Sequence, residues 1–467
     1  MLKISRRTLL GTSFTAAIAA SLPFPIVAAH AQAPQYDVIV AGGGIAGLSA
    51  SLEAATHGKK VLLLTAQPML GGNTYLSTGL FTACNSPVQL KLSKEKDSPE
   101  QFAADSLAIS NGLRDPMWTR IVAEHSAEDI AWLMENGVVY EDYVGASMGS
   151  PKPRVIQVKG YGRGLVTAMS AAIAKTGNVE VRTETRVKNL LVSDGKLTGV
   201  SADVNGKEQK FFAKNVILAT GGFAGNKDLV KKYAPKLSAF GSVGDPNLRG
   251  DGLVMTTALG AKTRHLEIIN VVPTTDKKTK IYLTSAALSG GGILVNEKGE
   301  RFCNELKNYT DTGLAMAKQK RVYEILVPEC HAKVKTLVEK QMLSKADSVA
   351  TLAKAIGVPE AALAETLARH NAATRGEEKD AFGRTIYQNE LKAPFYWMEV
   401  MPMLLQSFGG IVTNEKAQVL SEKGKPLFPN LFAAGELVSG YLDGGYRSGD
   451  ALMFGTVSGR IAAQSMQ

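Results

Sequence analysis

The 467-residue chain has only three cysteines, Cys84, Cys303 and Cys330. That is too few for a disulfide framework, and without a C-x-x-C-H there is no attachment point for covalent haem. No H-E-x-x-H and no paired Cys/His spacing marks a metal site, so no metal is expected. All three thiols are expected to be buried. Also missing is a basic stripe interleaved with aromatics. The 53 Lys and Arg exceed the 43 Asp and Glu, but they are scattered among those acids. Nucleic acid is therefore not an expected partner. There is no internal repeat and no low-complexity tract. With 45% hydrophobic and 21% charged residues, the composition is that of a globular chain of two or three domains.

The first 31 residues lack acids altogether. Lys3, Arg6 and Arg7 precede an apolar run that ends in the small residues Ala29-His30-Ala31. Ser5-Arg6-Arg7 followed by Leu9 and Leu10 resembles a twin-arginine signal, and 1–31 reads as a cleaved export peptide. An uncleaved anchor fits less well, because Ser, Thr, Gly and Pro dilute the run. The expectation is a periplasmic protein exported already folded, as suits one that carries a bound cofactor.

What is abundant is glycine, 46 residues, mostly in short motifs. "YDVIVAGGGIAGLSASLEA" predicts a buried strand, a glycine turn and a helix of small residues. Gly42, Gly44 and Gly47 fit G-x-G-x-x-G: the first permits the turn, the second bares backbone to a pyrophosphate, the third packs helix on strand. With Ile45 and Ala46, the helix start offers free N–H groups to anions. A second strand, "KKVLLL", follows, but the acid expected at its end to hold an adenosine ribose is Thr65. Two more strand-to-glycine junctions occur, at Ala219-Thr220-Gly221 and at Gly435-Glu436. Three such junctions suit a large flavin domain that approaches FAD with bare backbone.

With "LGGNTYLSTG" (Gly71, Gly72, Asn73, Thr74, Ser77, Thr78, Gly79) and "YRSGDALMFG" (Arg447, Ala451, Leu452), the chain resembles the fumarate reductase family of FAD flavoproteins. Urocanate reductase and 3-oxosteroid 1-dehydrogenase are relatives. The resemblance runs from about Tyr36 to Ala463. It implies an α/β fold, with a Rossmann-like FAD-binding domain (32–264 and 393–467) and an inserted α+β capping domain (265–392). Inside that insertion, Val349, Leu352 and Ile356, then Leu363, Leu367 and His370, recur at helical spacing. The residues at these junctions and motifs are the expected cofactor contacts. The family's attachment histidine has no counterpart, so FAD should be held noncovalently.

The resemblance also implies the chemistry: a hydride passes between the flavin and a carbon of an activated C–C bond, and an arginine supplies the proton. "GERFCNE" aligns Arg301 with that acid, and "YRSGD" aligns Arg447 with the clamp on the substrate carboxylate. An arginine can act as an acid only if buried against other cations or donors, since its ordinary pKa is far too high. From residues alone, "ILVNEKGERFCNE" reads as a hairpin, with Arg301 beginning the return strand. Substrate would also meet Val272, Gln406 and Ser407. Here the pattern departs from the family: Val272, Leu405 and Gln406 replace histidines, while Ser285 and Leu288 replace the acid and base of a proton relay. These departures imply a related reaction on a different substrate, an unsaturated carboxylic acid other than fumarate. Without haem, electrons would come from a separate carrier such as a periplasmic cytochrome. Two alternatives stay open: a ketosteroid-type dehydrogenase using Tyr282, Tyr441 or Tyr446 as base, and a noncatalytic flavin carrier.

Overall fold

The computed structural model describes residues 33–146, 152–283, 285–307, 309–385 and 389–466. The expected export segment lies outside them. Two compact units divide the chain: Met1–Pro235 with Gly244–Ile268 and Ser407–Gln467, and Lys236–Val243 with Ile269–Gln406.

The first unit is built on a seven-stranded sheet. Strand β1 (Tyr36–Ala41) leads through the glycine turn into helix α1 (Ile45–Thr56) and then β2 (Val61–Leu64). β3 (Val179–Arg182), β4 (Thr185–Ser193), β5 (Lys196–Val204) and β6 (Lys207–Leu218) complete the order β3-β2-β1-β6-β5-β4, and Leu431–Ala433 also pairs with β6. The long β6 serves two sheet neighbourhoods. Its first half runs antiparallel to β5, while its second half runs parallel to β1, from Tyr36 opposite Ala213 to Ala41 opposite Leu218. β1 is flanked by strands on both sides and shielded above, so it reads as an unbroken apolar run, Val38 to Ala41, with no exposed face. The parallel strands β1 and β6, and the strand Leu431–Ala433, end side by side, each on a glycine junction.

The second unit has a six-stranded sheet. It comprises β7 (Ile269–Asp276), β8 (Ile293–Asn296), β9 (Val322–Leu326) and β10 (Phe395–Ser407), with the short strands Gly241–Ser242 and Ser344–Ala346. This unit extends past the 265–392 span expected for the cap, because β10 carries the chain across the sheet before it leaves. Helices Val349–Ile356 and Glu360–Thr374 lie where the periodicity predicts, burying Leu352, Ile356, Leu363, Leu367 and His370. Ser348 and Thr351 cap the first of them reciprocally, which fixes its start.

The expected hairpin is not a hairpin. β8 pairs with β9, Ile293 opposite Ile325, and residues after Gly299 form no return strand. Asn296 closes the turn by accepting the Lys298 and Glu300 N–H groups, at 3.0 and 3.1 Å. The chain then folds back so that Glu305 accepts the Leu294 N–H, at 3.3 Å. A side chain replaces the ladder that a second strand would have made. Cys84 and Cys330 are buried as expected, whereas Cys303, in this irregular segment, is only partly covered.

Candidate active site

In the first unit, the three glycine junctions converge. A Cβ on Gly42 would lie 2.0 Å from the Ala219 carbonyl oxygen, and one on Gly47 would lie 1.8 Å from that of Gly42. Gly42 also has φ +122°, so only glycine suits the turn. Ala46 of α1 packs against Ala219 and Ala434. "GGNT" docks on this turn: the Gly71 N–H donates to the Gly43 carbonyl at 2.8 Å, and Thr74 Oγ1 accepts the Ile45 N–H at 2.9 Å. The next residues serve the scaffold. Ser77 Oγ donates to the Thr74 carbonyl, Gly79 leaves room for Tyr161, and the exposed Thr78 uses its carbonyl on Gln157.

Glu436 is half-buried at the third junction. It accepts the Ser407 N–H at 2.9 Å and lies 3.4 Å from the Ser407 hydroxyl. Burial pushes its carboxyl up to about 7, against those hydrogen bonds. A Cβ on Gly222 would fall within 2.2 Å of both Glu436 and Ser407 oxygens. Thus Ser407, expected to meet substrate, adjoins Glu436, expected to meet cofactor. Thr220 Oγ1 is buried with no protein partner. Bare backbone where a Cβ cannot fit, converging strand ends and an unpartnered hydroxyl fit a dinucleotide cofactor.

Arg447 is fully buried at the start of the helix Asp450–Gln464, whose first turn also carries Ala451 and Leu452. Its Nη2 donates to Ser106 Oγ at 2.5 Å and lies 3.3 Å from Asp450 Oδ1, and its guanidinium lies over the Phe102 ring. Burial alone would lower its pKa, but Asp450 outweighs that and holds it raised. Sequence reasoning missed Arg114, which carries no motif. It donates to the same Asp450 at 2.6 Å and to the Gly445 carbonyl, and it stacks over Tyr441 at 4.6 Å. Two buried guanidiniums therefore face one carboxylate. Among the described residues, Arg114 Nε and Nη1 and Arg447 Nη1 have no hydrogen-bond acceptor.

The tyrosine-base alternative gains no support from Tyr441, which is buried beside Asp450 and pushed up to about 12 by desolvation. Tyr446 stacks on Phe408 at 5.4 Å. Tyr282 forms an isolated bridge to Thr275, and its carbonyl accepts Lys333.

In the second unit, the Arg301 side chain is buried, 8% exposed, and its direct partners are carboxylates. Nε and Nη2 grip the two Glu305 oxygens, each at 2.8 Å, and Nη1 pairs with Asp380. Arg384 approaches the same Glu305 at 3.3 Å. Burial would lower the Arg301 pKa, yet the two carboxylates win and raise it above its ordinary value. That is the opposite of what a proton donor needs. Arg301 also lines a polar cleft of about 270 Å³ with His370, Asp380 and Phe382. His370 is packed inward, and burial with the nearby Arg384 and Arg301 charges lowers its pKa to about 4. Val272 is buried in β7, and Gln406 is buried in the adjacent β10 with Nε2 unpartnered.

The sequence profile of the FAD binding domain family matches residues 37–451, and the chain belongs to that family. Within it, the chain is 32% identical over 455 residues to a fumarate reductase (cytochrome) of Shewanella frigidimarina, covering 94% of this chain and 79% of that one. It is 29% identical to the acrylate reductase flavoprotein subunit of Shewanella woodyi, covering 98% of each. The open conformation of a flavocytochrome c3 fumarate reductase superposes with a TM-score of 0.82 at 29% identity, over 98% of this chain and 80% of that one. A 3-ketosteroid-delta4-(5alpha)-dehydrogenase from Rhodococcus jostii RHA1 gives 0.75 at 26% identity, over 95% and 99%. The chain is an FAD-dependent oxidoreductase related to reductases of C–C double bonds. Its flavin should come off in acid. Trichloroacetic acid precipitation of the yellow protein is expected to leave FAD in the supernatant; flavin pelleting with the chain would mean a covalent link.

Proposed function

We propose that the protein reduces a C–C double bond conjugated to a carboxylate, with a small unsaturated monocarboxylic acid as substrate. One observation carries this reading: two buried arginines, Arg114 and Arg447, share the single carboxylate of Asp450 and keep three guanidinium nitrogens unspent. A buried excess positive charge with unused donors suits an anionic ligand. FAD, when bound, supplies the hydride chemistry. The protein's part is to bind the carboxylate, hold the alkene and keep water out. The similarity to fumarate and acrylate reductases supports the same reading. Arg301, between Glu305 and Asp380, is assigned to holding the folded-back segment together rather than to donating the proton. Oxidation of reduced viologen by a panel of enoates tests the proposal. Turnover with acrylate-type acids, and none with the corresponding amides, is expected. Equal turnover with the amides would remove the need for a carboxylate.

Electrons would arrive on a separate carrier such as a periplasmic cytochrome, and the chain would be exported through the twin-arginine route. Replacing Arg6 and Arg7 together by Lys keeps the charge and removes the feature that route reads. The double variant is expected to stay in the cytoplasm with its signal uncleaved, as fractionation and blotting would show. Wild-type periplasmic levels would assign export to another pathway.

A further inference from the structure

The end of β2 lacks the acid expected to hold an adenosine ribose, and a single hydroxyl stands in its place. The Thr65 hydroxyl accepts the Gln67 N–H at 3.3 Å. A carboxylate nevertheless reaches this corner from a distant loop. Asp245 Oδ2 accepts Gln67 Nε2, a contact spanning 178 residues of sequence. A Cβ built on Gly72, beside the glycine turn, would lie 3.4 Å from the same oxygen. Asp245 is thus anchored between the end of β2 and the Gly71–Gly72 pair.

Its placement is well determined. Asn73 Oδ1 accepts the Asp245 N–H at 2.8 Å, and Asp245 Oδ1 accepts the Asn247 N–H at 2.8 Å. Arg186 ties down the rest of the loop, through Asn247 Oδ1 at 2.7 Å and through Asp251. Arg186 is the second residue of β4, whose first, Thr185, donates its N–H to the Thr65 carbonyl at 2.8 Å. The loop therefore moves with the end of β2. A carboxylate has about four lone-pair sites. Gln67 and Asn247 take two, and two are left for a pair of neighbouring hydroxyls.

We propose that Asp245 holds the adenosine ribose of FAD, taking the place of the acid missing at Thr65. The inference rests on the FAD reading of this unit. It is tested with full-chain apoprotein, titrated by fluorescence with FAD and with an FAD analogue lacking both adenosine ribose hydroxyls. Wild type should bind FAD roughly 10- to 100-fold more tightly than the analogue, the range for hydrogen bonds to a charged acceptor. Asp245→Ala should bind both ligands alike, at the wild-type level for the analogue. Asp245→Asn keeps an acceptor for Asn247 and should recover only part of the discrimination, which carries the comparison if the alanine variant does not fold. A wild type that binds the two equally, or variants that weaken yet still discriminate fully, would overturn the proposal and leave Asp245 a loop anchor. Wild type binding neither would refute the flavin reading itself.

Discussion

Arg301→Gln is expected to cost the protein stability before it costs turnover. The substitution leaves Glu305 to Arg384 and leaves Asp380 to the Phe382 and Arg384 backbone N–H groups among the described residues. Removing one partner from a buried ion pair typically costs about 3–5 kcal/mol. For a chain of this size the expected fall in melting temperature is roughly 3–5 °C. The pH dependence gives a second signature. The Arg301 side holds Asp380 down to about 2, and Glu305 is also lowered by Arg301 despite its burial. Such depressed acids stabilise the fold above their ordinary pKa and lose that contribution as pH falls through the folded value. The gap between wild type and variant should therefore be widest at neutral pH and should close between about pH 4.5 and pH 2. Arg301→Lys keeps the charge but cannot grip Glu305 with two parallel bonds, and should recover only part of the loss. A variant that melts like wild type while losing roughly 10²–10⁴-fold in kcat would return Arg301 to the role of proton donor.

Features enforced by local sterics or by repeat spacing were legible in the sequence. Gly42 and Gly47 are needed because backbone stands where a Cβ would go, so the turn announces itself. The helices at Val349 and Glu360 follow from apolar residues at a period near 3.6. What the sequence hid are partners brought together by the tertiary fold. Asp380 lies 79 residues from Arg301, and Asp450 lies 336 residues from Arg114. Neither spacing carries a periodic signal. The resemblance singled out Arg301 as a proton donor, but an aligned arginine says nothing about the sign of the charges around it. The hairpin reading failed for a related reason: "ILVN" is strand-like by composition, but which strand it pairs with is decided by β9, some thirty residues on.

Fumarate is expected to be a poor substrate, well behind acrylate-, methacrylate- and cinnamate-type acids in kcat/KM. The proposed function calls for one carboxylate, for which the first unit offers the donors of Arg114 and Arg447. In the second unit, the positions that the family resemblance gives to substrate-holding histidines are Val272, Leu405 and Gln406, none of them a cation. Val272 is buried in β7 and offers no polar atom. On the adjacent β10, Gln406 Nε2 is buried and unpartnered, enough for one neutral hydrogen bond. Desolvating an ionised carboxylate against an alkyl wall and a single amide costs several kcal/mol. At about 1.4 kcal/mol per decade, that is a penalty on the order of 10²–10³-fold. An uncharged far end reverses the sign, since each buried methylene gains about 0.8 kcal/mol. Gln406 can still greet a carbonyl or hydroxyl there without any charge being buried. Val272→His should narrow the gap by restoring a donor toward the second carboxylate, and the gain should be larger below the histidine pKa. The measurement is steady-state kcat/KM with reduced viologen for the four acids, on wild type and on Val272→His. Fumarate leading in the wild type would mean that another group balances its second charge, and the apolar reading of these positions would fail.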